Sequence, residues 1–227
     1  MGTLYLVRHG QASFGADNYD QLSELGRRQG RRLGAYLAER GLRPDVVYTG
    51  TLARQMQTWD ALAEGLGLAP GDAPEPVRWP GLNEYDSHAV ITAVHPQPLP
   101  PPDTPEAYRQ HFRLLRDGLA QWMAGVVTPR GMPAYVDFVR GITGALEHIR
   151  QHHHGRRVLL VSSGGPIATA VGHVLGAPPE TTIELNLRIR NSSLSEFAFT
   201  PRRHMLVTYN TLPHLDDPAL ADWITYT

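Results

Sequence analysis

Leu4-Tyr5-Leu6-Val7-Arg8-His9-Gly10, close to the start of the chain, passes from four apolar residues into a charged break ended by glycine. Four consecutive apolar residues of this kind read as a strand buried on both faces. Arg8 and His9 then fall where the carboxyl end of that strand opens into a loop, the edge of an open α/β sheet at which ligands bind. Arginine offers a fork of donors that matches phosphate oxygens, and a neutral imidazole is a nucleophile. The tripeptide is short, so the surrounding pattern has to support it.

Two further junctions repeat the pattern. Val158-Leu159-Leu160-Val161-Ser162-Ser163-Gly164-Gly165-Pro166 is a second buried strand running into a glycine-rich helix start, with Pro166 expected at the first helical position. Backbone N–H groups at such a start form an anion site. A shorter strand, Asp45 to Tyr48, precedes a helix that Thr51 is expected to cap and that runs to about Glu64, with Arg54 in its first turn. Ser23 reads as the N-cap of another helix reaching about Arg40, with Gly41 as its stop. Strand–helix alternation predicts an α/β fold, a three-layer sandwich with a mostly parallel central sheet between helices.

From residue 71 to 133 the pattern loosens. A proline cluster over 95–105 marks a loop, and Thr104-Pro105-Glu106 opens a helix to about Met123. Residues 1–227 are expected to form one domain with a cap-like insertion at about 87–135. A helix from about Pro133 to Gln151 returns to the core, a helix reaches about Leu175, and strands near Ser193–Phe199 and His204–Tyr209 finish the sheet. His152-His153-His154 is expected to be a solvated helix end, and Met56, Trp59 and Trp122 to be packing residues. Nothing local draws His214 toward the site.

Composition narrows the chemistry. A net charge of -1 leaves no footprint for nucleic acid or an anionic membrane. No apolar stretch approaches a membrane span, and no signal peptide is legible, so the expected location is cytoplasmic. There is no cysteine, and all 21 basic residues are arginine. Thiolate nucleophiles, Cys-based zinc sites, P-loop lysines and Schiff bases are therefore excluded.

Arg8-His9-Gly10, Leu22-Ser23-Glu24-Leu25-Gly26-Arg27-Arg28-Gln29 and Thr51-Leu52-Ala53-Arg54-Gln55 together resemble the histidine phosphatase superfamily, the clan of the cofactor-dependent phosphoglycerate mutases. Leu82-Asn83-Glu84 and the Val161–Pro166 junction extend the resemblance to most of the chain outside about 87–135. It implies His9 as the nucleophile that becomes phosphohistidine, Arg8 and Arg54 as phosphoryl clamps, and Glu84 as proton donor and later base. It implies neither a metal nor a cofactor. Ser163, Gly164, Gln11 and Asn18 complete the expected phosphate contacts.

The chain departs from the family pattern in two places. Ser163 stands where the family usually has a second histidine, and losing a charge-assisted donor there would cost on the order of 2–4 kcal/mol of transition-state stabilisation. His88 and His95 are candidate replacements, with solvated loop histidines the plainer reading. Gly15 stands where many relatives have an asparagine, which is why Asn18 or Ser13 enters the reading.

The function expected is a metal-independent phosphomonoester hydrolase acting on a small phosphorylated metabolite. The alternatives are phosphoglycerate mutase-type transfer and a catalytically impaired phospho-ligand-binding module. Tyr85-Asp86-Ser87-His88 replaces the Arg-His-Tyr-Gly that follows Asn-Glu in mutases, which speaks against the first. Neither the substrate nor the oligomeric state is legible.

Overall fold

A computed structural model describes residues 1–13, 20–69, 71–101 and 103–226. The opening apolar run is strand β1 (Gly2–Arg8). It is followed by α1 (Glu24–Glu39), β2 (Val46–Thr49), α2 (Ala53–Gly65) and β3 (Val77–Arg78). The chain continues through α3 (Ser87–Val94), α4 (Pro105–Met123) and α5 (Tyr135–His152), then β4 (Arg157–Ser162), α6 (Gly164–Leu175) and α7 (Pro179–Arg188). Strands β5 (Leu194–Phe199) and β6 (His204–Thr211) come last.

The six strands lie in the order β3-β2-β4-β1-β5-β6. β3, β2, β4 and β1 are parallel, whereas β5 and β6 are antiparallel additions on one side. The fold is thus the expected α/β layered architecture. β1 and β4, the two apolar runs, are direct neighbours in register, with Arg8 opposite Ser162. That register brings the two glycine-containing breaks to one sheet edge.

Burial on both faces explains why the runs are continuously apolar rather than alternating. Leu4, Leu6, Val158 and Leu160 face one side, where Ile142, Leu146 and Ile149 of α5 and Ile167 and Val171 of α6 cover them. Tyr5, Val7, Leu159 and Val161 face the other, under Leu33 and Leu37 of α1 and Trp59 and Leu62 of α2. Each such side chain contributes about 1.5–3 kcal/mol on burial. The inner end of each strand is therefore rigid, and its outer end inherits a fixed position.

Local signals set most helix boundaries. Ser23 Oγ accepts the Gly26 N–H at 3.0 Å, and Gly41 takes the left-handed conformation (φ 63°) that stops α1. Thr104 caps α4 as expected, accepting from the Ala107 N–H.

Other boundaries differ from expectation. α2 begins after Leu52, which caps nothing with its side chain, because Thr51 is engaged elsewhere. Its hydroxyl accepts from Asn83 Nδ2 at 2.7 Å, and its N–H donates to Asn83 Oδ1 at 2.7 Å. The α2 N-terminus is capped instead by Asp20, whose carboxylate accepts from the Ala53 and Arg54 N–H groups. Pro166 is the third residue of α6 rather than the first, because Gly164 and Gly165 are already helical. α3, α7 and β3 were not legible as elements.

Within residues 87–135, α3 and α4 form a helical pair with an apolar cluster of Val90, Ile91, Leu115, Leu119 and Trp122, completed by Ile183 of α7. Trp122 and Trp59 are packing residues, as expected. The histidine run is less solvated than expected. His153 caps α5 and its Nε2 meets the buried Tyr48 hydroxyl at 2.8 Å, since β2 passes directly beneath the helix end. Among the described residues, no helix is long and apolar enough to cross a membrane, and no group of His, Cys, Asp and Glu side chains could hold a metal ion.

Candidate active site

His9 follows β1 directly and is only 3% exposed. Its backbone is clamped, with its N–H donating to Ser162 O at 2.8 Å and its carbonyl accepting from the Ser192 N–H and Asn191 Nδ2, both at 3.2 Å. The ring is fixed as well. Nδ1 lies 2.7 Å from Gly10 O, an acceptor only, so Nδ1 carries the proton and Nε2 keeps its lone pair. Burial first, then the charges of Arg8 and Arg54, hold the imidazole well below its ordinary pKa. The arrangement presents a neutral ring with an oriented nitrogen lone pair.

Arg8 ends β1, and its Nη1 donates to Ile189 O at 2.6 Å and Tyr226 O at 2.8 Å. Arg54 is 8% exposed and pairs with Asp20 through Nη1 at 2.9 Å. One carboxylate thus caps α2 and orients its second residue. Thr58, one turn along α2, receives the Gly10 N–H at 3.1 Å and donates to Arg54 O at 2.7 Å, tying the His9 loop to the Arg54 helix.

Glu84 stands on the loop between β3 and α3. Its carboxylate accepts the Gly165 N–H (3.1 and 3.2 Å to the two oxygens) and its neighbour's, Tyr85 N–H, at 3.2 Å. The anion expected at the α6 N-terminus is therefore, in part, a side chain of the protein itself. Desolvation raises the Glu84 pKa, opposed by the Gly165 N–H and by Arg54 and Arg8. Both arginines act on both His9 and Glu84, so the four residues share one electrostatic site. A Cβ at Gly165 would overlap Glu84 Oε1 and come within 2.6 Å of the Tyr85 ring, and one at Gly164 would sit 3.8 Å from Arg8 Nε. Gly165 is what lets the acid close on the helix.

The remaining expected contacts divide. Ser163 is fully buried and accepts from Gln55 Nε2 at 2.9 Å. Gln11 Oε1 accepts from Ser23 Oγ at 2.8 Å, and its N–H donates to Gln29 Oε1 at 2.8 Å, so it braces the α1 start. Asn18 and Gly15 lie outside the described residues. His88 is exposed in the first turn of α3, and His95 is the half-buried residue that ends it.

Sequence reasoning missed Asp20, Gln55 and Thr58 as site residues, although Gln55 lies in the quoted Arg54 segment and Thr58 one helical turn after Arg54. Nothing local marks Asp20, whose importance comes from a helix 33 residues away.

His214 also differs from expectation. It is 1% exposed and its Nε2 lies 2.9 Å from Ser192 Oγ, whose own N–H holds the His9 carbonyl. Burial lowers its pKa from 6.5 to about 3. Between those values the unfolded chain binds a proton that the folded chain excludes, so this stability is complete above pH 6.5 and is lost as pH falls. The slope is about 1.4 kcal/mol per pH unit. Melting temperatures at pH 7, 5.5 and 4 should fall more steeply in the wild type than in His214→Gln; equal slopes would refute the assignment.

The histidine phosphatase superfamily (branch 1) matches residues 4–212. The chain belongs to that superfamily. It is 40% identical over 91 residues to a 2,3-bisphosphoglycerate-dependent phosphoglycerate mutase of Chelativorans sp., covering 37% of this chain and 43% of the mutase. A second such mutase, from Thermobifida fusca, is 40% identical over 74 residues, 30% of each chain. The chain thus matches less than half the length of these curated relatives.

Among solved structures it superposes on a phosphoserine phosphatase variant from Entamoeba histolytica in complex with phosphoserine. The TM-score is 0.65 with 16% identity, over 95% of this chain and 100% of that one. It also superposes on the mycobacterial glucosyl-3-phosphoglycerate phosphatase, with a TM-score of 0.62 and 23% identity over 92% and 98%. These likenesses show the fold.

Proposed function

We propose that the chain is a phosphomonoester hydrolase that works through a phosphohistidine at His9 on a small phosphorylated metabolite. The observation that carries this is the fixed His9 ring, its proton spent on Gly10 O and its second nitrogen bare, in the joint field of Arg8 and Arg54. Nε2 attacks phosphorus in line, forming the N–P bond as the P–O bond to the leaving group breaks. The arginines stabilise charge on the transferring oxygens without the need for a metal. Glu84, whose pKa burial raises, gives its proton in its acid form to the departing oxygen. The carboxylate so formed then takes a proton from water as that water attacks the phosphohistidine, releasing phosphate and restoring both residues. In this reading Ser163 and the α6 N-terminus add hydrogen bonds to the phosphoryl group, and α3 and α4 cover the leaving group.

Mutase-type transfer is the second reading, favoured by the mutases among the relatives. Against it, the residues after Glu84 serve the fold: the Tyr85 hydroxyl accepts from Asn186 Nδ2 at 2.8 Å, and Asp86 caps α3. The test is hydrolysis of an activated aryl phosphate with EDTA present, repeated with 3-phosphoglycerate as a competing acceptor. Release of all phosphoryl groups to water supports the hydrolase. Appearance of bisphosphoglycerate would replace it with the mutase, and absence of turnover would favour a binding module.

A further inference from the structure

Gln55 is a buried side chain of the site that the proposed chemistry leaves unused. It is fully buried, adjacent to Arg54, and its Nε2 donates in two directions: to Leu82 O at 3.0 Å and to Ser163 Oγ at 2.9 Å. Leu82 is two residues ahead of Glu84, and its carbonyl also accepts from Ser162 Oγ at 2.7 Å. One carboxamide therefore joins the arginine helix, the acid loop and the start of α6.

Two details argue for more than packing. Ser163 makes no side-chain cap for α6; one of its lone pairs accepts from Gln55, and its proton has no acceptor among the described residues. Gln55 Oε1 is itself buried without a hydrogen-bond partner among the described residues, tucked where any Cβ on Gly50 would overlap it. A buried acceptor lacking a donor weakens a fold, so stability alone does not account for a carboxamide here.

We infer that Gln55 is a positioning residue that aims the Ser163 hydroxyl proton at the transferring phosphoryl group. By occupying one Ser163 lone pair, it orients the hydroxyl and leaves its proton to donate elsewhere. The Leu82 carbonyl, which also accepts from Ser162 Oγ, anchors the carboxamide in that orientation. This inference rests on the hydrolase reading above. It gives the serine at 163 a working arrangement, with a neutral donor held in place by a neighbour.

The experiment is a double-mutant cycle with Gln55→Leu and Ser163→Ala, reading kcat, KM, melting temperature and calorimetric binding of orthovanadate. Vanadate adopts the five-coordinate geometry of phosphoryl transfer, so its affinity reports the same donor without turnover. Gln55→Leu should lower kcat and weaken vanadate binding about tenfold, with KM within about twofold and no loss of melting temperature. The double variant should match Ser163→Ala within about twofold, since Gln55 acts through Ser163.

Effects that multiply in the double variant, unchanged vanadate binding, or a fall in melting temperature that accompanies the lost rate would each overturn the proposal. If the wild type binds vanadate in this pattern yet hydrolyses no phosphomonoester, the hydrolase reading fails while the positioning role of Gln55 stands.

Discussion

His9→Ala should reduce phosphomonoester hydrolysis by at least about four orders of magnitude, because it removes the nitrogen that forms the proposed covalent intermediate. Arg8, Arg54 and Glu84 would remain, but their contribution is to stabilise a bond being made to Nε2. The backbone at position 9 is held by Ser162 O, Ser192 N–H and Asn191, none of which depends on the imidazole. The variant should therefore fold with a melting temperature close to that of the wild type. Rapid quench of the wild type in alkali should trap a phosphoryl group on nitrogen, and the variant should trap none. Residual turnover within about tenfold of wild type would mean that another nucleophile or a directly attacking water does the chemistry.

Glu84→Gln has the second-largest expected effect, and its size depends on the leaving group. For an alkyl phosphate, whose oxygen departs poorly without a proton, kcat should fall about 10²–10⁴-fold. For a nitrophenyl ester, which leaves well as an anion, the fall in the first step should be far smaller. The pH dependence has a defined sign. Glu84 is raised above the usual carboxylate value of 4.5, so the acid form persists to higher pH, and alkyl ester turnover declines as pH rises through the folded value. Glutamine should flatten that limb. On the acid side, activity is lost only when His9 takes up a proton, which its lowered pKa defers well below 6.5.

The same shift bears on stability. A carboxyl group held above its unfolded pKa contributes its stability below 4.5 and loses it as pH rises through the folded value, so the buried Glu84 carboxylate, wherever it is ionised, weighs against folding. Glu84→Gln should consequently melt at a higher temperature than the wild type at pH 7 while turning over more slowly. A variant that is both slower and less stable would point to a structural role for the carboxylate.

Much of this site was legible because its parts sit where strands end. The apolar runs 4–7 and 158–161 located β1 and β4, and chain direction placed Arg8, His9 and Ser163 at one edge. Arg54 and Glu84 became legible through the family pattern rather than through periodicity. The parts that escaped are those whose meaning is tertiary. Asp20 is an ordinary polar residue until α2 brings two N–H groups to it. Thr51 has the chemistry of a cap, but Asn83 competes for it across the loop and wins. α3 and α7 were hidden for another reason: each is short, and the contacts that hold it come from α4 and α6 rather than from its own stripe. His214 reads as an isolated polar residue in sequence because Ser192, the group that makes it useful, lies 22 positions earlier.

The strand order has a consequence for how the molecule comes into being. β1 is flanked by β4 and β5, so its nearest partners are separated from it by more than half the chain, and β2 reaches it only across β4. A nascent chain that has exposed β1, α1, β2 and α2 holds two apolar strands that cannot pair with each other in the native arrangement. Such non-local pairing slows folding and leaves strand edges open to association. Until β4 emerges to seat between them, Arg8, His9 and Arg54 are tethered but not assembled, and the proposed site exists only in molecules whose synthesis has passed the middle of the sheet.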